Sequence, residues 1–278
     1  MNSSFIVGDA GGTGTQWRIV KDGNISQAKT VGFNAYTHDI EVLKKDIIET
    51  VVPLGRDSSK IFFYAAGVDI DEQKQEAKLQ LQSVFEGEVY VENDLLGAAK
   101  SLCGIDPGYI GIIGTGSNAC VYDGKKVDKV SASLGYILGD EGSGAYLGKL
   151  LLKKIFRSQI DKAVIQSFQD KFNMTSHDVI TKLYNEEMPN HFLASFALFM
   201  SEHKSHPEVY QLIQQSFHDY LTAFFPNIEG NIPLHFSGSI AFYFSDILRQ
   251  VCQDKGFAVG NIVESPISGL VLYHQNYE

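Results

Sequence analysis

The chain has 278 residues, of which 44% are hydrophobic and 20% are charged, and its formal net charge is −10. This length and composition are typical of a soluble globular protein with room for two domains. The negative charge argues against a nucleic-acid-binding surface, which needs clustered Lys and Arg, whereas a small anion can still bind to backbone amides or through a divalent cation.

The first hundred residues alternate between strand and helix patterns. Five apolar runs are typical of strands: SSFIVGD, TQWRIV, NISQAKTV, KIFFYAAG and EVYVEND. Apolar residues recur at helical spacing in DIEVLKKDIIETVVPL, DEQKQEAKLQLQSVF and DLLGAAKSLCG. Short turns such as Lys21–Gly23 predict an antiparallel meander, and the helical crossovers predict parallel strands. The sequence therefore predicts an α/β fold with a mixed sheet covered by helices.

The same order begins again after GIDPG, residues 104–108, which predicts a hinge. The second series of strands is YIGIIGTG, NACVYDG, KVDKVSAS, PLHFSGS and FAVGNIVES, interrupted by a helical stretch at about 145–226. Because GTGTQWRIVKDG and GTGSNACVYDG are alike, we expect a duplicated architecture. The expected domains are 1–105 and 106–278, and the final helix is a candidate to pack back on the first domain. A chance likeness of two glycine-rich hairpins is the alternative.

The cysteines and the N-terminus bear on location. Cys103, Cys120 and Cys252 are far apart and form no CxxC pair, which favours reduced thiols over a disulfide framework. The segment MNSSFIVGDAGG has no basic region, and its apolar stretch is too short for a signal peptide. No run approaches the ~20 apolar residues of a membrane helix. These features predict a cytoplasmic protein without a membrane partner.

The first hairpin carries residue types that a turn alone does not need. Its strand ends at Asp9, and the loop continues with Gly11, Gly12, Thr13, Gly14 and Thr15. Glycines leave amides uncovered, and hydroxyls add donors for an anion. A carboxylate beside phosphates is unfavourable unless a cation such as Mg²⁺ intervenes, so Asp9 indicates a metal–nucleotide ligand. The alternative is that Asp9 caps a turn that the glycines shape.

The second hairpin repeats this plan after the strand YIGIIG. Its candidate anion-binding residues are Gly114, Thr115, Gly116 and Ser117. Two such hairpins facing each other across a cleft would bind a polyphosphate from both sides. Neither is a Walker A motif, and neither leads at once into a helix as a dinucleotide fingerprint does.

Two further segments bring carboxylates to helix starts. Asp94 follows the strand VYVEN, at the carboxyl end where active carboxylates of α/β proteins usually stand. Its alternative role is helix N-cap, for which Asn93 or Asp94 would serve. The segment GDEGSG carries Asp140 and Glu141 into another helix, whose dipole favours acidic residues in any case.

Two weaker patterns have structural explanations. His203 and His206 could be a metal pair, but a solvated helix face is favoured because no further ligands cluster nearby. The aromatic stretches HFLASFALFM and DYLTAFFPNI are expected in the core of the second domain, with a subunit contact in a homodimer as the alternative.

In this order the motifs resemble the sugar-kinase branch of the actin, hexokinase and heat-shock-protein-70 ATPase superfamily. Most closely they resemble the BadF/BadG/BcrA/BcrD ATPase family, which includes N-acetylglucosamine kinase. The matching segments span nearly the whole chain: DAGGTGT, END, GTGSN, GDEGSG and HFSGSIA.

The resemblance implies two ribonuclease-H-like domains that close over ATP and a small-molecule sugar, a hexosamine. It implies Asp94 as general base, Asp9 as the residue that orders Mg²⁺, and Gly238 and Ser239 beside the adenosine. It also implies sugar contacts by Asn34 of VGFNAYT, by Asn93 and Asp94, and by Asp140 and Glu141.

The chain departs from the family pattern in one segment. SLGYILGDEGS has Gly135-Tyr136 where such kinases commonly have Gly-Trp-Gly. The three scattered cysteines also differ from those of the activase branch of the family, which hold an iron–sulfur cluster on paired cysteines. The expected function is ATP-dependent phosphorylation of a hexosamine to its 6-phosphate. The alternatives are a nucleotide-binding sensor without sugar kinase turnover and an ATPase that drives a partner protein.

Overall fold

The computed structural model describes residues 4–226 and 232–277. The chain divides into two compact units, which contain, respectively, Met1–Pro107 with Tyr122–Val127 and Ser265–Glu278, and Gly108–Val121 with Asp128–Glu264. The outer ends of the two predicted domains, residues 1–3 and 278, lie outside the described residues.

The first unit contains a mixed five-stranded sheet in the order β3-β2-β1-β4-β5. Its strands are β1 (Phe5–Gly11), β2 (Gly14–Lys21), β3 (Asn24–Thr30), β4 (Lys60–Ala65) and β5 (Glu88–Asn93). The first three form an antiparallel meander, and β4 runs parallel to both β1 and β5. The turn between β2 and β3 has positive φ at both Asp22 (52°) and Gly23 (78°), as a two-residue type I′ turn requires. The predicted mixed sheet is confirmed.

Helices cover both faces of this sheet. They are α1 (Ile40–Thr50), α2 (Val52–Gly55), α3 (Asp71–Gln82), α4 (Asp94–Cys103) and, at the end of the chain, α14 (Ile267–Tyr277). One face carries the core of Trp17, Phe63 and the apolar sides of α1 and α3, and the other packs against α14. The prediction of one helix through VVPL was wrong, because α1 ends at Thr50 and Pro53 lies in the first turn of α2.

A second mixed sheet, most of which lies in the second unit, has the order β10-β9-β6-β7-β8. Its strands are β6 (Gly108–Ile113), β7 (Ser117–Tyr122), β8 (Val127–Lys129), β9 (Leu234–Ser237) and β10 (Val259–Val263). Read from the other edge, this order places successive strands as in the first sheet, and β6, β9 and β10 are parallel as β1, β4 and β5 are. The duplicated α/β architecture is therefore confirmed.

A helical insertion separates β8 from β9. The helices of this unit are α5 (Gly135–Leu138), α6 (Gly144–Phe156), α7 (Lys162–Phe172), α8 (Ser176–Asn185), α9 (Pro189–Ala194), α10 (Ala197–Glu202), α11 (Pro207–Phe224), α12 (Ser239–Tyr243) and α13 (Ser245–Asp254). Phe196, Phe199 and Tyr220 are fully buried in one apolar core with β6 and β9, which confirms the core interpretation of both aromatic stretches as far as they are described. Residues 227 and 228 of the second stretch lie outside the described residues.

The two histidines of the weaker metal pattern have local partners. The ring of His203 stacks on Phe199 at 4.1 Å, and its Nδ1 lies 2.9 Å from the Phe199 carbonyl oxygen. His206 caps α11 by accepting a hydrogen bond from the N–H of Glu208 at 3.3 Å. Both histidines are half-buried in the turn between α10 and α11, so their roles are structural but they do not form the expected solvated helix face.

The three cysteines are free thiols, as expected. Burial raises the pKa of Cys103 to about 11 and that of Cys252 to about 12, so both stay protonated near neutrality. No helix in residues 4–226 and 232–277 is long and apolar enough to span a bilayer.

Candidate functional site

The carboxyl ends of β1, β4 and β5 meet at one edge of the first sheet, since these strands are parallel neighbours. Asp9 pairs in register with Tyr64, and Tyr64 with Glu92, so the first glycine hairpin and the start of α4 lie close together. In α/β proteins, ligands bind beside the carboxyl ends of the parallel strands, where the following loops carry the functional groups. The structure therefore brings Asp9 and Asp94, both predicted from the sequence, to the same edge.

The pKa of Asp9 is strongly shifted at this edge. Although its side chain is not fully shielded from solvent, loss of hydration raises its pKa from the ordinary 3.8 to about 7. A hydrogen bond from Ser265 Oγ to Asp9 Oδ2, at 3.2 Å, opposes this shift, and the negative charge of Asp94 adds to it. Because the negative charges of the two carboxylates repel each other, a cation bound beside them is favoured.

The donor set fits a magnesium ion shared with phosphates. Within residues 4–226 and 232–277, no cluster of three or more His, Cys, Asp or Glu side chains could hold a metal ion by itself. Mg²⁺ is usually held by one or two carboxylates together with substrate phosphates and water, and does not need a protein cage. Asp9, with Asp94 near it, matches that requirement.

The first hairpin is closed by the pairing of Gly11 with Gly14. Neither glycine has a positive φ, so the backbone conformation does not require glycine there. A Cβ on Gly11 would meet no atom closer than Gly14 O at 3.9 Å, and one on Gly14 none closer than Thr30 O at 3.8 Å. These distances leave space beside the loop backbone, as close approach of a ligand would need.

The two threonines of this hairpin have different surroundings. Thr15 is buried, and its hydroxyl donates to the Val31 carbonyl at 2.8 Å, which ties the hairpin to the following loop. Thr13 is exposed at the tip. Of the two hydroxyls, that of Thr13 is therefore the accessible one.

The start of α4 distinguishes the two candidate caps. Asn93 Oδ1 accepts a hydrogen bond from the N–H of Leu96 at 2.9 Å, so Asn93 is the N-cap. Asp94 is the first helical residue, in the turn where the helix dipole stabilises negative charge. The capping role that was the alternative for Asp94 thus belongs to Asn93.

Asn34 lies at the same sheet edge. It forms a parallel bridge with Ala66, whose N–H donates to the carbonyl of Ala10 at 3.0 Å. Its Oδ1 accepts from the N–H of Tyr36 at 2.9 Å. Gly67 has φ 74°, and a Cβ there would lie 2.5 Å from Asn34 Oδ1. The position of Asn34 is thus fixed by close packing.

In the second unit, the GTGSN and GDEGSG motifs form a single substructure. The N–H of Gly144 donates to Gly114 O at 2.8 Å, and that of Ala145 donates to Thr115 O at 3.1 Å. Ser117 Oγ donates to the carbonyl of Glu141 at 2.7 Å. The start of α6 and the second hairpin therefore support each other.

Asp140 is part of that support. It is buried, with φ 57°, and its Oδ1 accepts from the N–H of Ser117 at 3.3 Å. Burial raises its pKa, Ser117 and Lys149 lower it, and Glu141 raises it. A Cβ on Gly116 would approach Asp140 Oδ2 to 2.9 Å. Glu141 is more exposed than Asp140 and is the more accessible of the two carboxylates.

Gly238 precedes α12, which begins at the exposed Ser239. Its φ is 117°, and a Cβ there would lie 2.3 Å from Ile113 O and 3.1 Å from Gly114 N. Glycine is required here because the chain passes directly against the end of β6 and the second hairpin. This packing requirement within the protein holds independently of any ligand.

Sequence reasoning missed Ser265. It lies 256 residues from Asp9 along the chain and donates to that carboxylate. The only local signal is Ser-Pro ahead of a helix, a common N-cap pattern that says nothing about a partner so distant in sequence.

No protein-family model and no curated protein matches this sequence. Among solved structures, a "Putative N-acetylglucosamine Kinase" from Porphyromonas gingivalis shares 35% identity over 98% of this chain and 99% of its own, with a TM-score of 0.92. A second protein with that description, from Chromobacterium violaceum, shares 18% identity over 98% and 99% of the two chains, with a TM-score of 0.75.

A ROK family glucokinase from Streptomyces griseus, in complex with glucose and AMPPNP, shares 15% identity over 98% of both chains, with a TM-score of 0.57. At that identity, the likeness is one of fold. The fold of this chain is thus the two-domain, actin-like fold of sugar kinases. With 35% identity over nearly the full length of both chains, the protein belongs to the same family as the Porphyromonas gingivalis protein.

Proposed function

We propose that the protein is an ATP-dependent hexosamine kinase that phosphorylates N-acetylglucosamine or a glucosamine-like sugar at its 6-hydroxyl. The observation that carries the proposal is the placement of Asp9 and Asp94 at one sheet edge, close enough for the charge of Asp94 to raise the pKa of Asp9. Membership of the family that contains the Porphyromonas gingivalis protein supports this substrate class.

We place the chain in the BadF/BadG/BcrA/BcrD ATPase family on its motifs. The residues of END, GDEGSG and HFSGSIA support that placement.

In the proposed reaction, Asp94 is the general base. Its carboxylate accepts the proton of the sugar 6-hydroxyl as that oxygen bonds to the γ-phosphorus of ATP. The bond from the γ-phosphorus to the bridging oxygen breaks, and ADP leaves. The capping of α4 by Asn93 supports this role, because the N-cap position is filled by Asn93 and not by Asp94.

Mg²⁺, when bound, would neutralise charge on the phosphates. Asp9 would hold it through its carboxylate, with Asp94 contributing negative charge nearby. We propose that ATP binds through the backbone amides of Gly11, Gly12 and Gly14 and of the Gly114–Ser117 hairpin. Thr13 would add a side-chain donor, and Ser239 would lie beside the adenosine.

The proposed sugar contacts come from Asn34, Asn93, Asp94, Asp140 and Glu141. Asn93 and Asp140 each already have one carbonyl or carboxylate oxygen hydrogen-bonded within their own unit, to Leu96 N–H and Ser117 N–H. Asn93 and Asp140 would therefore each stabilise a neighbouring part of the backbone and also contact the substrate.

The test is ADP release by the purified protein with Mg²⁺–ATP and a panel of sugars. The panel is N-acetylglucosamine, glucosamine, N-acetylmuramate, N-acetylmannosamine and glucose. The proposal expects ADP only when an amino sugar is present, with sugar 6-phosphate as the second product. Equal ADP release without sugar would indicate an ATPase, and nucleotide binding without ADP release would indicate a sensor.

A further inference from the structure

We propose that Ser265 is a positioning residue that sets the orientation of the Asp9 carboxylate for Mg²⁺ and ties it to the start of α14. This inference rests on the proposed function. It follows from the two hydrogen bonds of one hydroxyl: Ser265 Oγ accepts from the N–H of Ile267 at 3.3 Å and donates to Asp9 Oδ2 at 3.2 Å.

The hydroxyl of Ser265 can form both hydrogen bonds at once, one as acceptor and one as donor. A serine hydroxyl has one proton and two lone pairs. With the Ile267 N–H directed at a lone pair of Ser265, the single proton remains for Asp9. Pro266 lies directly before α14, where its missing N–H removes no helical bond, and its carbonyl accepts from the N–H of Leu270 at 3.0 Å. Ser265 therefore accepts from the first N–H of α14 and donates to Asp9 at the same time.

The helix that follows Ser265, α14, is held firmly against the first sheet. Ile267 and Leu270 are buried among side chains of β1 and β4. The His274 ring stacks on Phe62 at 3.6 Å, and its Nε2 lies 3.0 Å from Tyr64 Oη. Tyr64 is the register partner of Asp9 on β4. The helix thus contacts the sheet at Asp9 and at the residue beside it.

Close packing against α4 prevents the helix from sliding. A Cβ on Gly269 would lie 2.2 Å from Ser101 Oγ and 2.6 Å from Ser101 O. Because α14 is fixed in this way, Ser265 offers its hydroxyl from a constant position. Since Asp9 Oδ2 is engaged by that hydroxyl, rotation of the carboxylate is restricted. A metal ligand with restricted rotation loses less entropy when it binds the ion.

Calorimetric titration of the full-length protein with ADP, in Mg²⁺ and separately in EDTA, tests the inference. We expect Ser265→Ala to weaken ADP binding in Mg²⁺ by about tenfold, as loss of a hydrogen bond to a charged group implies, and to leave binding in EDTA unchanged. Ser265→Thr, which keeps the hydroxyl, should restore the Mg²⁺-dependent gain.

Two variants separate positioning from capping. Ser265→Gly has no hydroxyl to donate and adds no charge beside Asp9, so it should lose the Mg²⁺-dependent gain while remaining folded. It serves equally if the alanine variant does not fold. Thr175→Ala removes the N-cap of α8, whose Oγ1 accepts from the N–H of Asp178 at 3.2 Å. This control should lower Tm and leave both ADP affinities unchanged.

The outcomes also separate this inference from the proposed function. Mg²⁺-dependent ADP binding in the wild type, with the same Mg²⁺-dependent gain in Ser265→Ala or Ser265→Gly, would overturn the positioning role alone. Equal ADP affinities of the wild type in Mg²⁺ and in EDTA would overturn both the proposed function and this inference.

Discussion

Asn93 Oδ1 accepts a hydrogen bond from the backbone N–H of Leu96 at 2.9 Å, and Asp94 is the next residue in the chain. The cap and the proposed base are therefore adjacent side chains with different tasks. Loss of the Asn93 side chain should lower stability, whereas Asp94→Asn should lower the rate and leave stability unchanged, which makes the pair separable by experiment.

Asn93→Ala should lower the free energy of unfolding by ~1 kcal/mol, because an orphaned N–H in the first turn loses its acceptor. Asn93→Ser is the matched control, since serine caps about as well as asparagine. Chemical denaturation of both variants checks this. Equal stability of the alanine and serine variants would show that the cap contributes nothing.

Asp9→Asn should stabilise the nucleotide-free protein near pH 7. The pKa of Asp9 rises from 3.8 to about 7 on folding, so its contribution to stability is greatest below 3.8 and is lost as pH rises to about 7. Asparagine carries no charge to bury, so Asp9→Asn should raise the free energy of unfolding by an amount on the order of 1–3 kcal/mol at pH 7. This increase should shrink toward pH 4. Denaturation in EDTA across this pH range measures it. A gain that is constant with pH would contradict the raised pKa.

Gly238→Ala should destabilise the second unit more than Gly256→Ala. Both glycines have positive φ, 117° and 81°, but a Cβ on Gly256 would meet no atom within 4 Å, whereas one on Gly238 would lie 2.3 Å from Ile113 O. We expect ~1 kcal/mol for the φ penalty at Gly256 and roughly 1–3 kcal/mol more at Gly238 for the overpacking. Equal Tm values for the two variants would contradict the close approach to β6.

Ser117→Ala should lower the stability of the second unit by about 1 kcal/mol, because a buried hydroxyl loses its bond to the Glu141 carbonyl. Ser83→Ala is a matched control. Its hydroxyl donates to the Gln80 carbonyl at the same 2.7 Å, but on the exposed surface. Thermal unfolding should therefore shift for Ser117→Ala and stay within error for Ser83→Ala. The reverse order would contradict mutual support of the two loops.

Much of the first sheet was predictable from local pattern. Phe5–Gly11, Gly14–Lys21 and Lys60–Ala65 are apolar runs bounded by glycine or polar turns, and the Asp22-Gly23 turn fixes the meander. The convergence of Asp9 and Asp94 followed from the parallel arrangement of their strands. The strands and the turn depend on residues near each other in the chain, whereas Asp9 and Asp94 converge because helical crossovers make their strands parallel.

Other features depend on tertiary packing and could not be predicted locally. Asn93 and Asp94 are equally good caps by type, and only the backbone position selected Asn93. The packing of Gly238 against Ile113 and the bond from Ser265 to Asp9 join residues far apart in sequence. A single sequence carries no local sign of such contacts.

The rate of sugar phosphorylation by Asp94→Asn is the most direct test of the central claim. Asparagine keeps the size of the side chain and removes nearly all of its basicity, and because Asn93 is the cap, α4 should stay intact. We predict a folded variant that still binds Mg²⁺–ADP, with kcat lower by ~10²–10⁴-fold. Near-normal kcat in a folded Asp94→Asn protein would contradict the assignment of Asp94 as the base.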